Sequence, residues 1–324
     1  MKTMKLLLFT LCLLASAALS QTQAQTPAQT PAPLPRADQY SAKGADTCLE
    51  CHDDENAAYS AKAMFKGKHA HRGDKRTPFG AGQLQCESCH GPGALHARNK
   101  KAASIISFKP DSKATLAQRN QTCLTCHEGG TRSAWHAGAH DAGKLACTDC
   151  HKLHQPRDPV LTKASEAQVC LACHKSQRAD FHKASTHPVL KGAMACSDCH
   201  APHGSSAPGM LTKATVNQTC FTCHADKRGP LLWEHQPVAE DCSLCHAPHG
   251  SVRAALLTKT SPLLCQSCHS ASGHPAVPRT SNSLLGSGNS GSNGGAAFVV
   301  AGGCANCHTK VHGSNHPSGA KLLR

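Results

Sequence analysis

Ten copies of Cys-x-x-Cys-His run through this sequence, and they use every cysteine except Cys12. They are Cys48-Cys51-His52, Cys86-Cys89-His90, Cys123-Cys126-His127, Cys147-Cys150-His151 and Cys170-Cys173-His174. The second five are Cys196-Cys199-His200, Cys220-Cys223-His224, Cys242-Cys245-His246, Cys265-Cys268-His269 and Cys304-Cys307-His308. Two thiols two residues apart can bond to one edge of a porphyrin, and the adjacent imidazole then lies under the ring as proximal iron ligand. A zinc array needs no histidine after every second cysteine, and a disulfide scaffold needs none at all. The spacing therefore predicts ten c-type hemes.

Fourteen of the 24 histidines lie outside these motifs. Paired in chain order, the motifs form five units starting at Cys48, Cys123, Cys170, Cys220 and Cys265; the last three intervals are 47, 50 and 45 residues, as in a repeat array. Each unit carries one histidine between its motifs: His69 (or His71), His140, His187, His235 and His274. Each carries another just after its second motif: His96, His154, His203, His249 and His312, the last preferred over His316 because it shares His-Gly-Ser with His203 and His249. These ten are the expected distal ligands. The close-following set is too near its own motif to fold back over that ring, so each is expected to reach a neighbouring heme. His71, His136, His182 and His316 are read as residues without a metal. Met64, Met194 and Met210 are too few for methionine ligation, and bis-histidine hemes have low potentials.

Elements that present such sites need not be large. Aromatic residues make up only 3% of the 324, too few for a conventional core, so porphyrins would form the apolar interior. The expected fold is mostly irregular, with short helices at the attachment sites, little or no sheet and an extended array of hemes. The connectors Leu161-Thr-Lys-Ala-Ser165, Leu211-Thr-Lys-Ala-Thr215 and Leu257-Thr-Lys-Thr-Ser261 repeat before motifs, with Ser165, Thr215 and Ser261 as expected helix N-caps and Pro262 at a first helical position.

Residues 1–20 read as a secretory signal, with Lys2 and Lys5 before an apolar stretch; Cys12 would leave with it. Residues 21–41 hold a Gln/Thr/Pro-rich flexible linker, and 42–324 the decaheme domain. Pentaheme halves at 42–180 and 181–324 would cut a two-motif unit, so the array is read as one domain. The Gly/Ser/Asn-rich stretch Ser281 to Gly295 reads as a mobile spacer. No later segment reaches the roughly 20 apolar residues of a membrane helix. The formal charge of +14, or +12 without Lys2 and Lys5, suits neutralisation of heme propionates, and no aromatic-studded basic patch argues for nucleic acid.

A heme that relays electrons has both axial positions filled, whereas one that transforms a substrate keeps one open. No Cys-x-x-Cys-Lys occurs, and Tyr40 and Tyr59 are poorly placed for a crosslink to heme. The residues favour electron transfer over catalysis, with a soluble periplasmic carrier and a multiheme reductase as alternatives.

From about Ser41 to Arg324 the chain resembles the periplasmic decaheme cytochromes of the Mtr type (the DmsE-like family). The resemblance rests on Lys43-Gly-Ala-Asp-Thr-Cys48, the Cys-x-x-Cys-His-Ala-Pro-His-Gly-Ser segments, Lys227-Arg-Gly-Pro-Leu-Leu-Trp233-Glu-His235 and His312-Gly-Ser-Asn-His316-Pro-Ser-Gly. It implies insertion into an outer-membrane β-barrel porin, contact with an extracellular multiheme cytochrome, and exchange with periplasmic or inner-membrane cytochromes. The route would serve extracellular metal reduction or ferrous iron oxidation.

Overall fold

Each attachment motif closes one turn of helix. The amide of the motif histidine donates to the carbonyl of the first cysteine, for example His52 to Cys48 at 3.0 Å, His200 to Cys196 at 2.9 Å and His308 to Cys304 at 2.9 Å. In the computed structural model, residues 39–54, 60–99, 105–269 and 303–323 are described. The signal, the linker as far as residue 38, Tyr59, His274 and the Ser281 to Gly295 stretch lie outside them.

Helices are short, and glycine ends some of them, as Gly91 does Glu87–His90 and Gly143 does Ala139–Ala142. The longest described helix is Leu116–His127, with 12 residues. It starts at Thr115 in a capping box: the Thr115 hydroxyl accepts from the Gln118 amide at 3.2 Å, and the Gln118 side chain accepts from the Thr115 amide at 2.8 Å. Thr215 caps Val216–Cys220 through the Gln218 amide at 3.1 Å. Two expected caps are corrected. Ser165 lies inside the helix Lys163–Leu171, whose N-cap is Thr162, and its hydroxyl instead donates back to the Pro159 carbonyl at 2.7 Å. Before Leu263–Gln266 the cap position is Pro262, not Ser261.

Among the described residues extended pairing is confined to isolated bridges, so no sheet forms. Two bridges repeat one loop: His200 pairs with Leu211 and His246 with Leu257, folding the chain back over each motif. Two more join consecutive units, Ser185 to Ser251 and Trp233 to Ser314.

Within a unit, one buried polar side chain ties the two attachment segments together. The Asn120 amide donates to the Leu145 carbonyl at 3.0 Å and accepts from the Cys147 amide at 3.0 Å. Asn217 repeats this with the Val238 carbonyl at 2.8 Å and the Cys242 amide at 2.7 Å. In the third unit Glu166 does the same work, accepting from the Ser197 amide at 2.8 Å and hydroxyl at 2.9 Å. In the first, the half-buried Gln85 side chain accepts from the Ala45 amide at 2.6 Å. A buried polar group held on both sides fixes geometry, because losing either partner leaves an unmatched group.

Apolar packing is thin. One cluster joins Ala167, Leu171, Phe181 and Val189, and another Ala45, Met64 and Phe79. No large side chain among the described residues is completely buried. Met64 thus belongs to packing. No described helix is long and apolar enough to cross a membrane.

Candidate heme sites

None of the twenty described cysteines is in a disulfide, and they meet in chain order. Inside each unit the first cysteines face one another: Cys48 with Cys86, Cys123 with Cys147, Cys170 with Cys196, Cys220 with Cys242 and Cys265 with Cys304. Across the joins the second cysteines interact: Cys89 with Cys126, Cys150 with Cys173, Cys199 with Cys223 and Cys245 with Cys268. Every motif is therefore beside the next, by alternating ends.

Eight motif imidazoles face a second imidazole from another unit. His90 lies 6.1 Å from His154 between ring centroids, and His127 5.9 Å from His69. His151 lies 6.1 Å from His203, His174 6.1 Å from His140, His200 6.0 Å from His249 and His224 6.3 Å from His187. His246 lies 6.1 Å from His312, and His269 6.0 Å from His235. The pattern is reciprocal: His69, His140, His187 and His235 face the first motif of the next unit, and His154, His203, His249 and His312 face the second motif of the previous one. His69 rather than His71, and His312 rather than His316, stand in these pairs. Imidazoles flanking one metal at roughly 2 Å per bond, with a ring radius of about 1 Å each, sit about 6 Å apart.

Orienting hydrogen bonds set the tautomers. The Nδ1–H of His90 donates to the Ile106 carbonyl at 2.7 Å, of His200 to Gly209 at 2.8 Å, of His246 to Ala255 at 2.7 Å and of His308 to Lys321 at 2.7 Å. Among the facing imidazoles, His140 donates to the Pro202 carbonyl at 2.7 Å, His187 to Pro248 at 2.8 Å and His235 to Val311 at 2.9 Å. A carbonyl can only accept, so Nδ1 carries the proton and Nε2 keeps its lone pair for a metal. Burial lowers the pKa of His69, His90, His127, His203, His249 and His312, favouring the neutral form that ligation requires. The other expectations fall elsewhere. His136 sits 3.5 Å from the Asp141 carboxylate, the His316 Nδ1 accepts from the Ser318 amide at 3.2 Å, and His71 and His182 are exposed.

These residues fit heme. The paired rings have the centroid spacing of two imidazoles on one metal, and the side-chain core is too thin to stand alone. Buried Arg119 Nε and Trp135 Nε1 have no protein acceptor, as donors to an acidic group on the cofactor would. The cluster of Glu166, Cys170 and Cys196 is not a separate metal site, since both carboxylate oxygens hold Ser197.

Comparisons with known proteins agree. The doubled CXXCH motif model matches residues 187–229 and 235–274, and the model for NrfB-like c-type cytochromes matches residues 86–169. The multiheme cytochrome MtrA of Shewanella baltica is 44% identical over 286 residues, covering 88% of this chain and 83% of that protein. The chain belongs to the MtrA family of multiheme cytochromes. As an MtrA-family cytochrome it carries heme c and transfers electrons, and short helices with no sheet among the described residues are the expected multiheme fold. The c-type protein NrfB of Escherichia coli O6:H1 is 28% identical over 151 residues, 44% of this chain and 73% of NrfB.

Several residues that shape these MtrA-family sites escaped sequence reasoning. The carbonyls of Pro202, Pro248 and Val311 orient imidazoles 62, 61 and 76 residues away, and main-chain acceptors leave no residue-type signal. Asn120 and Asn217 each stand three positions before a motif cysteine, a repeat that could have been noticed.

Proposed function

We propose that the chain binds ten hemes, one per motif, and forms an ordered electron path across the outer membrane inside a β-barrel porin. The eight reciprocal imidazole pairs at 5.9–6.3 Å carry this reading. With those eight pairs taken, His96 is left for the iron held by His52 and His274 for that held by His308, each within its own terminal unit. When bound, each heme supplies a one-electron iron couple. The cysteine pairs would anchor the heme, and the motif histidines and their partners would both ligate its iron, leaving no site there for a substrate. Because each motif lies near the next, the spatial order follows chain order from the first unit to the fifth.

A polar protein of this kind suits the lumen of a barrel, whose interior is polar. Export to the periplasm, a porin, an extracellular multiheme cytochrome and periplasmic or inner-membrane cytochromes as exchange partners complete the proposal. Intact mass of the exported protein tests the count, with ten heme additions expected. Electron paramagnetic resonance tests the axial assignment: only low-spin ferric signals are expected, and a high-spin iron would favour a reductase. Co-purification with a β-barrel protein from detergent extracts tests the porin, and a cytochrome recovered free of any barrel would favour a soluble carrier.

A further inference from the structure

The second motif of every unit orients its histidine in the same way, with one exception. His90, His200, His246 and His308 each donate from Nδ1 to a neutral backbone carbonyl at 2.7–2.8 Å. His151 donates instead to the carboxylate of Asp158, at 2.7 Å. That carboxylate is held in place: its other oxygen accepts from the Lys152 amide at 3.2 Å and the Val160 amide at 3.3 Å. The Asp158 side chain is only 10% exposed. Among the described residues no lysine or arginine pairs with it, and the Lys152 ammonium is engaged by the Thr148 and Asp149 carbonyls at 2.6 and 3.2 Å.

A charged acceptor makes a hydrogen bond roughly twice as strong as a neutral one. Carboxylate–histidine–metal arrangements make the imidazole a stronger electron donor to its metal. Stronger donation, with an uncompensated negative charge close by, stabilises the ferric over the ferrous iron. We infer that Asp158 tunes the fourth site, lowering the potential of the heme held by His151 and His203 below that of its repeat equivalent at His200 and His249. The fourth site lies where the second and third units join, so electrons moving in chain order cross a local step there in either direction. Asp158 is a tuning residue that acts through His151.

This rests on His151 and His203 sharing one iron. The test uses the fully heme-loaded protein carrying Asp158→Asn, titrated potentiometrically with absorbance and electron paramagnetic resonance. One couple of the ten should move upward by at least tenfold in its ferric/ferrous equilibrium, about 59 mV for one electron, while nine stay in place. Asp158→Glu, which keeps the carboxylate, should titrate like the natural protein. A superimposable titration in a fully loaded, all-low-spin D158N protein overturns the tuning role but leaves the ligand assignment standing. A high-spin iron or fewer than ten hemes in the natural protein overturns the ligand assignment instead. If D158N fails to load the fourth heme, Asp158→Ser carries the same expectation. Loss of that heme in both neutral variants, or an equal upward shift in D158E, assigns Asp158 to loop assembly and ends the proposal.

Discussion

His187 and Pro248 are joined across 61 residues: the imidazole Nδ1–H donates to the proline carbonyl at 2.8 Å. The next residue, His249, faces His200 of the unit that supplies His187, while His187 itself faces His224 of the unit that supplies His249. One hydrogen bond thus sets both halves of an exchange between neighbouring units. Replacing His187 by Ala should open one axial position, at the iron held by His224. Electron paramagnetic resonance of H187A should show a high-spin ferric signal worth one iron, with the other nine low-spin.

Asn217 should be costly to remove. Asn217→Ala leaves the Cys242 amide and the Val238 carbonyl without partners in a buried place. The expected loss is about 1–3 kcal/mol, read as a lower midpoint in thermal unfolding of the loaded protein with its heme count unchanged.

The glycine after His203, His249 and His312 lets the chain pass close to a second segment. A Cβ on Gly204, whose φ is +108°, would collide with the Ala134 carbonyl, and one on Gly250 would collide with the Asp180 carbonyl. Gly250→Ala must push apart units that the Ser185–Ser251 bridge holds together. It should destabilise by about 1–3 kcal/mol. Gly129→Ala is the control: nothing lies within 4 Å of its Cβ, φ is −98°, and the change should stay within about 0.5 kcal/mol. Chemical denaturation of the two loaded variants checks the difference.

Heme removal should abolish the fold. With no large side chain completely buried among the described residues, the chain has little apolar area of its own to offset backbone entropy. Protein exported without heme attachment is expected to elute as an expanded chain and to unfold without a cooperative transition, measured by small-angle scattering and circular dichroism.

Chemistry confined to a few adjacent residues was legible in the sequence. Two thiols and an imidazole within five residues define an attachment site wherever the chain goes, so the motifs, the five units and the family resemblance could all be read directly. Scarce aromatics pointed to a non-protein interior for the same reason: composition does not depend on how the chain is folded. Helix starts were legible only where a side chain caps its own turn, as at Thr215. At Ser165 a nearby carbonyl, the Pro159 oxygen, captured the hydroxyl, and the helix begins earlier.

Partner choice belonged to the tertiary structure. His69 and His71 are two residues apart and equivalent in type, yet only packing brings His69 to 5.9 Å from His127. The acceptor behind each imidazole is likewise a matter of which backbone or carboxylate the fold delivers, so the contrast between Gly209 at His200 and Asp158 at His151 had no sequence counterpart. An attachment motif is complete within its own turn, whereas an axial pair needs two segments tens of residues apart to converge within a few ångströms, and only the packed chain can supply that.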